Sequence, residues 1–214
     1  MSQIVKPQSP SPATPASEKV TAILRAARER LARYGFSKVT MDEIARDVGM
    51  VKGAVYYYFP TKEKIFEAVI HEEQLSFLGR IEKVLEESVP ARDKLGRYVR
   101  ERHLYIQHLL GLGQLDYDAW RKLKPHFQDM FQQFDRKECQ LVRRILDEGV
   151  RSSEFALDEA GALARLFIRT IKGLTLLNGL YGNSEGRAAS DLDQEIRLFT
   201  SIFLSGIQNN KRRH

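Results

Sequence analysis

The stretch TMDEIARDVGMVKGAVYYYFPTKEK, residues 40–64, decides how this chain is read. It divides into two short helices joined by a tight turn, with the start of a third. Thr40 has the chemistry of an N-cap, and Glu43, three residues on, completes a capping box. Ile44, Ala45 and Val48 supply an apolar face, and Gly49 allows the sharp reversal that ends this helix. Ala45 is small enough for two crossing helices to approach closely, and Val48 and Val55 close a small core between them. A second short helix is expected over 52–59, interrupted by Pro60. Thr61 then caps a longer helix expected over 62–85. This is the layout of a helix-turn-helix, whose second helix is built to enter the major groove of DNA.

The second helix carries matching chemistry. Lys52 lies in its first turn, where an ammonium reaches guanine O6 and N7. Gly53 removes a side chain, so that backbone and DNA come close. Tyr56, Tyr57 and Tyr58 point in three directions about 100° apart and cannot all face a core. At least one is expected to offer its hydroxyl to phosphate or its ring to a thymine methyl. The plain alternative is that the tyrosines are core, which is the expectation for Phe59. Lys62 and Thr40 sit at helix N-termini, where free N–H groups and the helix dipole favour a phosphate.

Outward from this unit, Ser17 is expected to cap a helix bearing Val20, Ile23, Leu24, Ala27, Leu31 and Tyr34, ended by Gly35. Residues 1–16 hold four prolines among Ser, Thr and Ala and read as a disordered arm. Beyond Pro90 only helical periodicity is found, over 91–110, 117–151, 158–181 and 191–208. Pro125 should kink the second of these, and Ser190 or Asp191 should cap the last. Breaks are expected at Gly111-Leu112-Gly113, at 151–155 and at 182–189. No window alternates like a strand, so the fold class is all-α. The chain divides into an arm (1–16), a helix-turn-helix unit (17–64), a helical body (65–210) and a basic tail (211–214).

Charge follows this division. Residues 1–64 hold 11 Lys+Arg against 6 Asp+Glu, a net of +5, and residues 65–214 hold 23 against 22, a net of +1. The basic excess surrounds the unit that would meet phosphates. No apolar run reaches membrane-spanning length and no signal-like segment opens the chain, so no membrane partner and a cytoplasmic location are expected. Cys139 is the single cysteine and forms no intrachain disulfide. His71, His103, His108, His126 and Cys139 show no metal-binding spacing, and no cofactor is expected. No nucleophile–base pair, phosphate-cradling loop or paired carboxylates point to an enzyme.

Residues 20–70 resemble the DNA-binding domain of the tetracycline-repressor (TetR/AcrR) family. The resemblance rests on TMDEIARDVGM, on KGAVYYYFPTKEKIFEAVI and on the preceding Tyr34-Gly35-Phe36. Gly53, Tyr56, Phe59, Lys62 and Glu63 at these spacings are its most specific part. Elsewhere only the helical layout and LDEGVRSSEF are similar. The resemblance implies a dimer on a near-palindromic operator in double-stranded DNA, and usually repression of nearby genes. It implies that Lys52, Gly53, Tyr56 and Tyr57 lie in or beside the major groove, and that Thr40, Tyr58 and Lys62 meet phosphates. Val51 stands where a small hydroxyl residue is frequent, so one cap is expected to be missing. Tyr58 stands where histidine is frequent.

The resemblance also implies that the body forms a ligand pocket and a dimer interface. The pocket candidates are Tyr105, Leu109, Tyr117, Trp120, Phe127, Met130, Phe131, Phe134, Phe167 and Ile171, a lining that suits a small hydrophobic or aromatic ligand. The interface candidates are Leu166, Thr170, Gly173, Leu177, Phe199, Ile202, Phe203 and Gly206, which would build a four-helix contact across a two-fold axis of a homodimer. Simple core packing competes at each position. The function expected is a ligand-responsive repressor. An activator of the same fold, or a helical interaction or ligand-binding protein without specific DNA binding, are the alternatives.

Overall fold

The computed structural model describes residues 15–113, 124–181 and 189–209. Eight α-helices lie among the described residues: α1 (Pro15–Tyr34), α2 (Met41–Asp47), α3 (Lys52–Tyr58), α4 (Lys62–Glu86), α5 (Ala91–Gly113), α6 (Gln128–Arg151), α7 (Ala160–Tyr181) and α8 (Ala189–Ile207). A single 3-10 turn, Lys124–Phe127, precedes α6. The only extended pairing among them is an isolated antiparallel bridge between Phe155 and Gln208. The all-α expectation is therefore met.

Several boundaries differ from expectation. The first helix begins at Pro15, so Ser17 is inside its first turn rather than capping it, and its carbonyl accepts from the Thr21 hydroxyl at 2.9 Å. Proline suits that opening position, because its missing N–H would be unpaired there anyway. The remainder of the proline-rich arm, residues 1–14, and the basic tail fall outside the described residues. Helix α5 runs to Gly113, so the glycine pair does not break it at 111. The described part of the 117–151 segment starts as a 3-10 turn around Pro125 and becomes α-helical only at Gln128, as the missing proline N–H requires. Ser190 and Asp191 lie within α8, one and two residues past its start, and do not cap it.

Two hydrophobic cores result. The first joins α1, α2, α3 and the opening half of α4, around Ile23, Leu31, Ile44, Val55 and Ile65. The second lies among α4 to α8, around Phe77, Tyr98, Ile145 and Phe167. Helix α4 contributes to both: Phe66, Val69 and Ile70 face the first, and Phe77, Leu78 and Ile81 face the second. The opening of α6 also reaches the first core. Phe127 is buried there, 5.9 Å from the Phe66 ring, which in turn is 5.0 Å from Phe36.

The LDEGVRSSEF segment closes the second core. Gly149 lies directly under Phe155, and a Cβ there would be 2.1 Å from Cδ2 of that ring. Ser153 turns the chain at φ 59°. Glu154 accepts hydrogen bonds from the Ala91 and Arg92 amides at 3.1 and 3.3 Å, capping α5 from 63 and 62 residues away. Ala156 N–H donates to Ile207 at 2.8 Å, and Asn209 N–H to Glu154 at 2.9 Å, pinning the end of α8.

Candidate nucleic-acid interface

The reading head is assembled from local signals. Thr40 extends before α2, accepts from Glu43 N–H at 3.3 Å and donates from its hydroxyl to the Glu43 carboxylate at 2.8 Å. Thr40 N–H donates to the same carboxylate at 2.9 Å, completing the capping box. The Thr40 hydroxyl, followed by its backbone amide, holds the Glu43 carboxyl below the usual range. Gly49 takes φ 66°, a conformation that strains other residues, and Met50 N–H reaches back to Ala45 at 2.9 Å. Ala45 and Val55 are buried at the helix crossing, as their sizes require.

Val51 stands at the N-cap position just before α3, is exposed and supplies no side-chain cap. The cap expected to be missing is indeed missing. Val55 anchors the helix inward, while Tyr58 and Phe59 pack half-buried against the same core. Tyr57 is 83% exposed and Tyr56 40% exposed, so two tyrosines turn outward and one turns partly in. The Tyr57 ring meets Tyr58 edge-on at 5.3 Å. A Cβ on Gly53 would meet nothing within 4 Å, leaving that surface open to a close backbone approach.

Two lysines have partners that the spacing did not reveal. Lys52 Nζ lies 2.8 and 3.1 Å from the two Asp42 oxygens and 5.8 Å from the centre of the Tyr56 ring. The hydrogen bond to Asp42 holds its pKa above the ordinary lysine value. Lys62 is half-buried, donates to the Phe36 carbonyl at 2.8 Å and sits 4.3 Å over the Phe36 ring. Lys62 thus ties α4 to the loop between α1 and α2, and two of its three N–H donors remain for another acceptor. Arg30 was missed by the sequence reading altogether. It pairs with Asp47 and reaches Glu43 at 3.4 Å, tying α1 to α2. Its signal is a long-range pair, and no local spacing carries it.

In the body, the aromatic stripe is divided between two destinations. Tyr105, Phe134, Phe167 and Ile171 are buried in the second core, with Tyr105 and Phe134 at 5.5 Å. Phe127, Met130 and Phe131 pack instead against the first core, and Leu109 touches both. Phe127 therefore faces the reading head rather than a common pocket, because the 3-10 turn at Pro125 directs it there. Tyr117 and Trp120 lie outside the described residues. A cleft of about 360 Å³ does open between α4 and α6, and of the described candidates only Met130 and Phe134 line it.

Of the interface candidates, Leu166 and Ile202 are exposed, together with Leu198, which the sequence reading did not name. Phe199 and Phe203 are half-buried against Phe167, at 5.5 and 4.5 Å, so much of their area is spent within the chain. Thr170 donates its hydroxyl to the Leu166 carbonyl at 3.0 Å. Gly173 and Gly206 have nothing within 4 Å of a built Cβ. The side chain of Leu177 lies outside the described residues. No helix among the described residues is long and apolar enough to cross a membrane, and no group of three or more His, Cys, Asp or Glu among them could hold a metal.

Comparison with known proteins agrees with this geometry. The family profile "Bacterial regulatory proteins, tetR family" matches residues 23–69, which hold most of the first core. A transcriptional regulator from Cytophaga hutchinsonii superposes with a TM-score of 0.79 at 35% identity, over 89% of this chain and 98% of that one. The HTH-type transcriptional repressor KstR2 of Mycolicibacterium smegmatis is 26% identical over 74% of this chain and 78% of its own length. The nucleoid occlusion factor SlmA of Vibrio cholerae is 29% identical over 67% and 76% respectively.

Proposed function

Because this chain belongs to the tetR family of bacterial regulatory proteins, and so is a helix-turn-helix transcription regulator rather than an enzyme, we propose that it is a ligand-responsive repressor acting as a dimer on a palindromic operator. The observation that carries this reading is the outer surface of α3. Lys52, Gly53, Tyr56 and Tyr57 are exposed on a helix whose other side is anchored by Val55. In this reading those four address base edges, while Thr40, Tyr58 and Lys62 address phosphates. Lys52 exchanges Asp42 for a guanine, and Thr40 exchanges Glu43 for a phosphate.

Residues 17–64 serve as the DNA-binding unit and 65–210 as the sensing and dimerising body, with α4 belonging to both. The exposed Leu166, Leu198 and Ile202 on α7 and α8 support a two-fold contact through those helices. A ligand that binds better to a dimer whose two α3 helices no longer match successive major grooves would release the DNA.

Selection of sites from random duplex DNA at near-physiological salt tests this. A palindrome with half-sites about one helical turn apart is expected, and Lys52→Ala weakens binding to it by about 1–3 kcal/mol while relaxing the base preference at one position. Binding without any enriched sequence would defeat the operator reading.

A further inference from the structure

The reading head presents a carboxylate beside the lysine assigned to guanine. Asp42, in the first turn of α2, places its two oxygens 2.8 and 3.1 Å from Lys52 Nζ, across the turn between α2 and α3. The Lys52 and Asp42 side chains remain 58% and 54% exposed. The pair opens onto the same surface as Tyr56, whose ring centre lies 5.8 Å from the ammonium. An ion pair as wet as this adds little to stability. Against DNA it carries a penalty, because a carboxylate held beside phosphates repels them. The head is otherwise basic, with a net charge of +5 over residues 1–64, so an acidic group on its reading surface needs a reason.

The major groove supplies one. When Lys52 turns to guanine, the Asp42 carboxylate needs a donor, and the groove offers cytosine N4 and adenine N6. Adenine sets its N7 acceptor beside N6, which opposes a second carboxylate oxygen. Cytosine presents its N4–H without a neighbouring acceptor. Across a G·C pair the edge reads N7 acceptor, O6 acceptor, N4 donor. An ammonium in contact with a carboxylate is the complement of that edge, donor against O6 and acceptor against N4. An A·T pair in the same orientation would turn adenine N6–H toward the ammonium and thymine O4 toward the carboxylate, opposing both.

We propose that Asp42 is a specificity-determining residue that accepts a hydrogen bond from N4 of the cytosine paired with the guanine read by Lys52. This rests on reading α3 as the helix that enters the major groove, and it names the base pair that α2 and α3 address together.

The test uses the full-length protein and the palindrome selected by the wild type. Asp42→Ala and Asp42→Asn are expected to lose about tenfold of the preference for G·C at the base pair that Lys52→Ala also relaxes, with the other positions unchanged. Asp42→Ala should hold non-specific duplex at least as tightly as the wild type, since a negative charge leaves the interface, and this shows that the head is folded. N4-methylcytosine at that position in one half-site removes the free N4–H while keeping the Watson–Crick pair. Wild-type binding should fall about tenfold on the methylated site, and Asp42→Ala should bind both sites alike. Unchanged base preference in the two Asp42 variants overturns the proposal. So does wild-type indifference to the methyl group, which would leave Asp42 only positioning Lys52. An equal loss in wild type and Asp42→Ala overturns it too, because the effect is then the bulk of the methyl group. A wild type that enriches no palindrome defeats the operator reading and this proposal together, whereas a palindrome left intact by both Asp42 variants defeats this proposal alone.

Discussion

Replacing Lys62 with methionine separates two roles that the structure gives one side chain. Methionine keeps an apolar stem of similar reach but loses the ammonium. The first loss is structural, because Nζ donates to the Phe36 carbonyl at 2.8 Å and lies 4.3 Å over its ring. A hydrogen bond involving a charged group is worth roughly 1.5–3 kcal/mol, and a cation over an aromatic ring about 0.5–1 kcal/mol at an exposed site. Half-burial leaves water competing for the ammonium, so a net loss of about 1–2 kcal/mol is expected. For a chain of this size that lowers Tm by roughly 2–8 °C. The second loss is electrostatic. Each phosphate contact adds about 0.9 to the slope of log K against log salt, so Lys62→Met should flatten that slope by about one unit per bound chain. Thermal melts and DNA titrations at three salt concentrations read the two effects independently. Lys83→Met, on an exposed turn near the far end of α4, serves as the stability control and should shift by no more than about 0.5 kcal/mol. Wild-type melting of Lys62→Met would refute the tie between α4 and Phe36. An unchanged salt slope would remove Lys62 from the phosphate contacts.

Three further outcomes are expected. Gly149→Ala places a methyl 2.1 Å from the Phe155 ring and should destabilise by about 1–3 kcal/mol in urea melts, with Gly149→Ala/Phe155→Leu recovering part of the loss. Glu138→Leu leaves the buried Arg102 guanidinium without its carboxylate and should cost about 3–5 kcal/mol, whereas Arg102→Leu/Glu138→Leu removes both charges and should be much milder in the same assay. Glu43 has a folded pKa below its ordinary value, so its contribution is present above that ordinary value and is lost as pH falls through the lower, folded one. Glu43→Gln keeps a capping partner that does not titrate, and melts between pH 5 and about pH 2 should show a shallower acid loss than the wild type.

What was legible in the sequence follows from the range of the forces. The capping box at Thr40 and Glu43, the turn at Gly49 and the interruption at Pro60 involve residues within a few positions of one another, and each appears where the spacing placed it. The aromatic stripe of the body failed as a single pocket because periodicity reports that a side chain turns inward without saying toward which core. A 3-10 turn at Pro125 sends Phe127 to the reading head, while Phe134, seven residues on, goes to the body. Phe199 and Phe203 read as interface because their stripe is apolar, yet Phe167 covers part of them within the chain.

By itself, then, the chain's local chemistry determined the helices, the reversal between α2 and α3, and which helix presents Lys52, Gly53, Tyr56 and Tyr57. These depend on φ preferences, capping hydrogen bonds and hydrophobic periodicity, all of which act over a few residues. Only the tertiary structure decided which charges meet: Lys52 with Asp42, Arg30 with Asp47, Arg102 with Glu138, and Lys62 with the Phe36 carbonyl. Such pairings are set by how helices distant in sequence pack, and no spacing along the chain encodes the distance between them.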